Sequence, residues 1–193
     1  ISWDIHHSGV PYGLRHLQYA SFSFDASLHD IYFVLGSGGS LFLAADETRL
    51  DFRLLRKEII AKEVEVLSFP YSALTNFFGL NSLDEFDGHS IRYIISTAEQ
   101  LYVGNQLQSF LEKYPSIELH NHYGPSETHV VTAHKMSVKD GNLVNRSSIG
   151  KPISNTQIYI LDAGLNPVPV GVIGELYIGG ANLANGYLNL PET

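Results

Sequence analysis

Hydrophobic positions in this chain recur with two periods, and the switches between them lay out its elements. Leu17 to Phe22 is an aromatic-rich run with the texture of a strand. It leads through Ser23-Phe24-Asp25-Ala26-Ser27 into Leu28, Ile31, Tyr32 and Leu35. That i, i+3, i+4, i+7 spacing predicts a helix over 28–35, with Ser27 as its N-cap. Gly36, Gly38 and Gly39 follow a helix and precede the strand Ser40 to Ala44. With no Gly-Lys-Ser/Thr in the run, they suit a helix C-cap and turn better than a phosphate loop. Asp51 can cap a helix over Phe52 to Lys62, with Phe52, Leu55, Ile59 and Ile60 on one face. Glu65 to Phe69 reads as a strand ended by Pro70, Tyr71 to Phe78 as a helix ended by Gly79, and Ile91 to Thr97 as a strand. The nearly continuous apolar centre of that last strand is expected where both sheet faces are covered. Gly104 to Lys113 reads as a helix with Leu107, Phe110 and Leu111 inward, and Ile117 to Tyr123 as a strand.

Alternation of strand and helix implies right-handed crossovers and a mostly parallel sheet flanked by helices, an α/β fold. The texture changes after Glu127. His129 to Met136, Gln157 to Leu161 and Glu175 to Ile178 read as strands separated by Gly, Pro and Asn loops, with no helix between them. Leu161 to Pro167 reads as a hairpin turn. The chain is expected to divide into an α/β subdomain over 1–136 and a β-rich segment over 137–193. Ile1 to Gly13, punctuated by Pro11 and Gly13, is expected to be a solvated connector.

Composition narrows the classes of function. With 44% hydrophobic and 17% charged residues, the 193-residue chain can build a packed core, which makes wholesale disorder an unfavourable reading. A net charge of −8 argues against nucleic acid as a partner. No run approaches the roughly 18 apolar residues of a membrane span, and no signal peptide is visible. The absence of Cys removes disulfides and thiolate metal sites, and it fits a cytoplasmic protein. The only Met is Met136, and the chain stops at Leu190-Pro191-Glu192-Thr193, so an internal fragment of a longer polypeptide is expected.

The chemistry gathers around Leu119 to Val131. A strand there meets the hard turn Gly124-Pro125, which presents the hydroxyl of Ser126 beside the carboxylate of Glu127. Such a hydroxyl can bond a phosphoryl oxygen, and such a carboxylate can hold Mg²⁺. Asp25, Ser68, Thr97 and His122 all fall at or near the C-terminal ends of strands, and the exit loops of a parallel sheet share one edge. His120 and His122 alternate on one strand and so share a face, but no pair of His one helical turn apart accompanies a carboxylate. A His-bound metal is therefore not expected. No G-x-S-x-G elbow is present for a hydrolase triad.

Three motifs carry a resemblance to a known family. Asn121-His122-Tyr123-Gly124-Pro125-Ser126-Glu127 resembles the N-x-Y-G-P-T-E core of the adenylate-forming enzymes. Phe24-Asp25-Ala26-Ser27 resembles the F-D-x-S motif of amino-acid adenylation domains in nonribosomal peptide synthetases. Gly174 to Gly180, with Ala184-Asn185-Gly186-Tyr187-Leu188, resembles their later G-E-L-x-I-x-G and A-R-G-Y-L motifs. Ser stands for the usual Thr at Ser126, Asn for Arg at Asn185, Asn for Gly at Asn182, and Ala for Gly at Ala98.

The resemblance implies that ATP and an amino acid give an aminoacyl adenylate and pyrophosphate. The acyl group then passes to the phosphopantetheine thiol of a peptidyl carrier domain, alongside condensation domains of the same assembly line. It implies catalytic roles for Ser126 at the α-phosphate and Glu127 at Mg²⁺. Asp25 would bind the substrate ammonium, and Phe24 would line the path of its carboxylate. Ala98, Glu99, Asn121, Tyr123, Gly124 and Ser126 would hold the nucleotide. Ala26, His29, Ser68, Ile95, Thr97, His122, Val130 and Val131 would line the amino-acid pocket with Asp25, a mixed set that suits a polar or acidic side chain. The 137–193 segment would begin a distorted barrel. Since the phosphate loop and catalytic Lys motifs are absent from these residues, the isolated chain is expected to be inactive. Two rival readings remain: an acyl- or aryl-CoA ligase of the same superfamily, and a non-catalytic α/β binding module.

Overall fold

Five parallel strands in the order β2-β1-β3-β4-β5 form the body of a mixed seven-stranded sheet. They are β1 (Arg15–Gln18), β2 (Ser40–Leu43), β3 (Val66–Pro70), β4 (Tyr93–Thr97) and β5 (Glu118–Tyr123). Two antiparallel strands, β6 (Thr132–Met136) and β7 (Lys151–Pro152), extend it beyond β5. A separate hairpin pairs β8 (Thr156–Leu161) with β9 (Glu175–Gly180). The computed structural model describes residues 2–189, so the expectation drawn from Leu190 to Thr193 lies outside the described residues. The seven-stranded sheet runs on to Pro152, and the separate hairpin begins at Thr156. Among the described residues no helix is long and apolar enough to cross a membrane.

Helices cover both faces of the sheet, and strand alternation decides which residue meets which cover. α4 (Phe52–Ala61), α5 (Tyr71–Gly79) and α6 (Asn105–Lys113) bury Leu55, Ile59, Leu74, Phe77 and Phe110 with Leu67, Phe69, Ile94 and Leu119. On the opposite face, α2 (Ala26–Gly36) buries Phe33 and Val34 with Val66, Tyr93 and Ile95. β3 and β4 are buried along almost their whole length, in keeping with their apolar centres. Paired residues of parallel strands share a face, so the Ser68–Ile95–His120 row faces the α2 side. One step towards the strand ends, Thr97 and His122 continue on that side.

Local chemistry sets the element ends. Asp51 caps α4 by accepting from the Arg53 and Leu54 amides at 2.9 and 3.1 Å. α2 starts two residues before its expected first residue because Asp25, not Ser27, caps it: its carboxylate accepts from the Ala26 amide. The Ser27 hydroxyl instead donates back to the Phe24 carbonyl at 2.7 Å. At the far end of α2, Gly38 takes φ +67° and the Gly39 amide bonds to the Val34 carbonyl, forming the turn its glycines predict. Two short helices escaped the sequence pattern, α1 (Ser2–His7) and α3 (Asp46–Leu50). The expected solvated connector is thus partly helical, and α1 buries Asp4 while leaving His6 and His7 exposed.

His16 on β1 tests the dryness of the α2 face. It is 4% exposed, its ring lies 5.0 Å from that of Phe33, and its Nε2 has no hydrogen-bond partner among the described residues. Burial, with His29 adding to it, pushes its pKa down to about 3. A depressed folded pKa contributes stability above the unfolded value near 6.5, and this is lost as pH falls towards the folded value. Between pH 7 and pH 5 the wild type is expected to lose about 2 kcal/mol that His16→Leu does not lose. Urea midpoints at the two pH values measure the difference, and equal losses in both proteins would refute it.

Candidate functional site

The C-terminal ends of β3, β4 and β5, the N-terminus of α2 and the loop after β5 enclose a cavity of about 270 Å³. Ser68, Thr97 and His122 come from the three strands, and Phe24, Asp25, Ala26 and His29 from the start of α2. Ala98 follows β4, while Gly124, Pro125, Ser126, His129 and Val130 come from the β5–β6 loop. Four separate stretches of the chain therefore meet at the strand-end edge that the parallel topology predicts.

Asp25 does two things. One carboxylate oxygen accepts the Ala26 amide at 2.9 Å; the other lies 3.6 Å from His129 Nδ1. Its side chain is 38% exposed, which leaves it open to the cavity and to solvent. Phe24 beside it is exposed at the rim.

The β5–β6 loop is tightly built. The Thr128 and His129 amides both return to the Pro125 carbonyl, at 3.0 and 2.9 Å, and the Val131 amide bonds to Tyr123 O at 2.8 Å. His129 takes φ +58°, which turns the chain and brings its ring beside that of His29, 5.6 Å away between centroids. A Cβ on Gly124 would sit 1.6 Å from the His129 carbonyl oxygen, so only Gly fits that crossing. Gly124→Ala is expected to destabilise the fold by about 3 kcal/mol, because backbone rather than a flexible side chain must move. Gly79→Ala, which meets open space, is expected to be neutral or to stabilise by up to about 1 kcal/mol. Urea unfolding of the pair measures both, and equal midpoints would refute the account of the turn.

Ser126 lines the cavity mouth, and Glu127 stands exposed next to it. The Tyr187 hydroxyl donates to the Glu127 carboxylate at 2.7 Å and holds its pKa below the usual range. The Ala184 amide donates to the Glu127 carbonyl at 2.7 Å. The segment after β9 thus braces the loop. After β4, Ala98 adopts φ +69° while the Glu99 amide bonds Thr97 O at 2.8 Å, a tight turn that lets Ala98 line the cavity.

Beneath the cavity lies a buried polar cluster. Asp4 Oδ1 is 3.3 Å from His29 Nε2 and 4.0 Å from His122 Nδ1. Burial alone would raise the Asp4 pKa, but the His29 partner outweighs it and holds the carboxylate well below its usual range. Burial opposes charge on His29 as well, yet the facing Asp4 carboxylate raises its pKa. His122, where burial outweighs the attraction of Asp4, is pushed down to about 3 and is neutral.

Not every residue expected at the site lines this cavity. Ile95 packs in the core with Phe33, Val34 and Val66, and Val131 is fully buried. The Asn121 side chain points to the other sheet face and donates to Ser147 Oγ at 3.2 Å and Ser148 O at 2.9 Å. Tyr123 is partly exposed at the end of β5, and the exposed Glu99 accepts from the Ser72 hydroxyl at 3.0 Å. The sequence reading missed Asp4, His129 and Tyr187, and it gave Pro125 a place in the turn but not in the cavity lining. Tyr187 stood within a quoted motif, and His129 within the polar loop, but Asp4 carried no periodic signal.

Comparisons with known proteins agree with this architecture. The family model described as AMP-binding enzyme matches residues 2–188. Tyrocidine synthase 2 of Brevibacillus parabrevis is 44% identical over 176 residues, which is 91% of this chain and 5% of that protein. Gramicidin S synthase 2 of Brevibacillus brevis is 43% identical over 176 residues, covering 91% of this chain and 4% of its own length. The chain therefore spans about a twentieth of these relatives. Among solved structures, holo-PA1221, a nonribosomal peptide synthetase protein containing adenylation and PCP domains bound to a vinylsulfonamide inhibitor, superposes with a TM-score of 0.77. It is 28% identical, and the match covers 91% of this chain and 30% of that one.

Proposed function

This chain belongs to the AMP-binding enzyme family, and we propose that it is the part of an adenylation domain that selects an amino acid and positions it against ATP. In this reading the substrate carboxylate attacks the α-phosphorus, the bond to pyrophosphate breaks, and an aminoacyl adenylate forms. The acyl group then moves to the phosphopantetheine thiol of a carrier domain, with condensation domains in the same assembly line. The observation that carries the reading is Asp25: a carboxylate at the mouth of a cavity of mixed lining, fixed by its cap on α2, with no Lys or Arg ion pair among the described residues. That is what an α-ammonium group needs.

Asp25 binds that ammonium and so fixes the substrate's orientation, and Phe24 lines the approach of the carboxylate. Ala26, His29, Ser68, Ile95, Thr97, His122, Val130 and Val131 form the side-chain pocket and its backing, a mixed lining that favours a polar or acidic amino acid. Ser126 contacts the α-phosphate. Ala98, Glu99, Tyr123 and Gly124 form the nucleotide side, with Tyr123 stacking on the adenine, and Asn121 supports it from behind by tying β5 to Ser147 and Ser148. Glu127 fits Mg²⁺: it is a hard, exposed oxygen donor whose carboxylate enters no ion pair among the described residues. Bound there, the ion neutralises charge on the phosphates. The chain's own contribution is positioning and fixed charge, without a covalent intermediate. A cytoplasmic location, and inactivity of these residues in isolation, belong to the same reading.

Full-length protein incubated with ATP, Mg²⁺, an amino-acid mixture and holo carrier domain is expected to raise the carrier's intact mass by one aminoacyl group. An unchanged carrier together with acyl-CoA formed from fatty or aryl acids would overturn the proposal.

A further inference from the structure

We propose that Asp4, His29 and His122 form a binding site for one divalent transition-metal ion of the zinc class, at the floor of the cavity. The three residues come from α1, α2 and β5, and their ligand atoms all lie within 4.8 Å of one another. They are 1%, 4% and 3% exposed, so the cluster is not one of the acidic surface groupings that occur without an ion.

His122 makes the argument. Its side chain is 1% exposed, and neither ring nitrogen has a hydrogen-bond partner among the described residues. A neutral imidazole carries one N–H and one lone pair, and buried groups of this kind are almost always satisfied in folded proteins. Its Nδ1 points at the Asp4 carboxylate from 4.0 Å, too far for a hydrogen bond but apt for two ligands flanking one ion. His29 Nε2 stands 3.3 Å from the same oxygen. Ligands about 2.0–2.2 Å from a tetrahedral ion lie roughly 3.4 Å apart, so the Asp4–His29 pair already matches, the Asp4–His122 pair needs a small approach, and the His29–His122 pair lies within 4.8 Å.

The donor set selects the ion. Two imidazoles and one carboxylate suit zinc and its neighbours, whereas Mg²⁺ and Ca²⁺ take oxygen donors. Three protein ligands leave a coordination position open, as in catalytic rather than structural sites. His29 and His122 line the cavity and Asp4 lies behind them, so the open position faces the cavity. A side-chain donor on a molecule bound there, such as an imidazole, thiol or carboxylate, completes the shell. The sequence spacing argued against a His-bound metal because no two ligands share a helical turn. The fold supplies them from three elements instead.

The metal site does not depend on the adenylation reading and is tested without it. Chelator-treated full-length protein is titrated with Co²⁺, followed by its visible d–d absorption, and then with Zn²⁺ in competition. The expected result is one Co²⁺ per chain that Zn²⁺ displaces, with affinity reduced about 100-fold or more in both Asp4→Asn and His122→Gln. Circular dichroism identifies which variants are folded. Should neither fold, X-ray absorption of the Zn²⁺-loaded wild type decides, because two imidazoles in an N/O shell are required. Absence of stoichiometric Co²⁺ binding, unchanged affinity in a folded variant, or a shell without imidazole would overturn the site.

Discussion

Asp25→Asn is expected to raise the amino-acid KM in ATP–pyrophosphate exchange by about 30- to 150-fold while leaving the KM for ATP nearly unchanged. Asn is the informative replacement because Asp25 has two roles. Its carboxylate caps α2 through the Ala26 amide, and Asn caps about as well as Asp. The substitution therefore removes charge without removing the cap, and the thermal midpoint should hardly move. Truncating one partner of a desolvated charge pair costs about 2–5 kcal/mol. Asp25 is 38% exposed, so solvent screens it and the low end of that range, about 2–3 kcal/mol, applies. Asp25→Ala loses the cap as well and adds about 1 kcal/mol of destabilisation. Exchange kinetics with varied amino acid and varied ATP separate the two KM values. Unchanged amino-acid KM in Asp25→Asn would remove the ammonium from this position.

Glu127→Gln is expected to lower the exchange kcat about 100- to 1,000-fold, the scale seen when one preorganised electrostatic contact to a developing charge is lost. Gln keeps an oxygen that the Tyr187 hydroxyl can still meet, so the brace between the β5–β6 loop and the segment after β9 survives. What disappears is the negative charge of a hard donor. Raising the Mg²⁺ concentration should recover part of the loss, and the amino-acid KM should change little because Asp25 is untouched. Exchange assayed across a Mg²⁺ series checks this. A kcat near wild type at low Mg²⁺ would show that Glu127 does not hold the ion.

The strands and helices of the sheet's body were legible because burial on both faces leaves a strong pattern. Val66 to Phe69 and Tyr93 to Ser96 are apolar or small throughout, and α4 and α6 carry apolar stripes that match their buried faces. Edges were less legible, since caps and turns decide them. α2 begins at Ala26 because a carboxylate outcompetes a hydroxyl for the cap, and β1 stops at Gln18 although Tyr19 to Phe22 keep a strand-like composition. The strand expected from His129 begins only at Thr132, because His129 sits at positive φ and closes the turn on Pro125.

The site followed the same division. Ser68, Thr97, His122 and Asp25 were placed together because parallel strands must end on one edge, and the cavity lies there. Ile95 shares a sheet face with them but sits one row deeper, under Phe33 and Val34. Asp4 was illegible: six helical residues near the chain start carry too little periodicity to reveal a buried face. Its importance comes only from packing α1 against α2 and β5.

The central claim is that Asp25 and the cavity behind it read an amino acid for adenylation. Amino-acid-dependent ATP–pyrophosphate exchange by the full-length protein tests it most directly, with each amino acid run beside its des-amino counterpart and a set of fatty and aryl acids. The account predicts that one or a few amino acids sustain exchange and that removing the amine abolishes it. Exchange supported by fatty, aryl or des-amino acids, with none from amino acids, would contradict it.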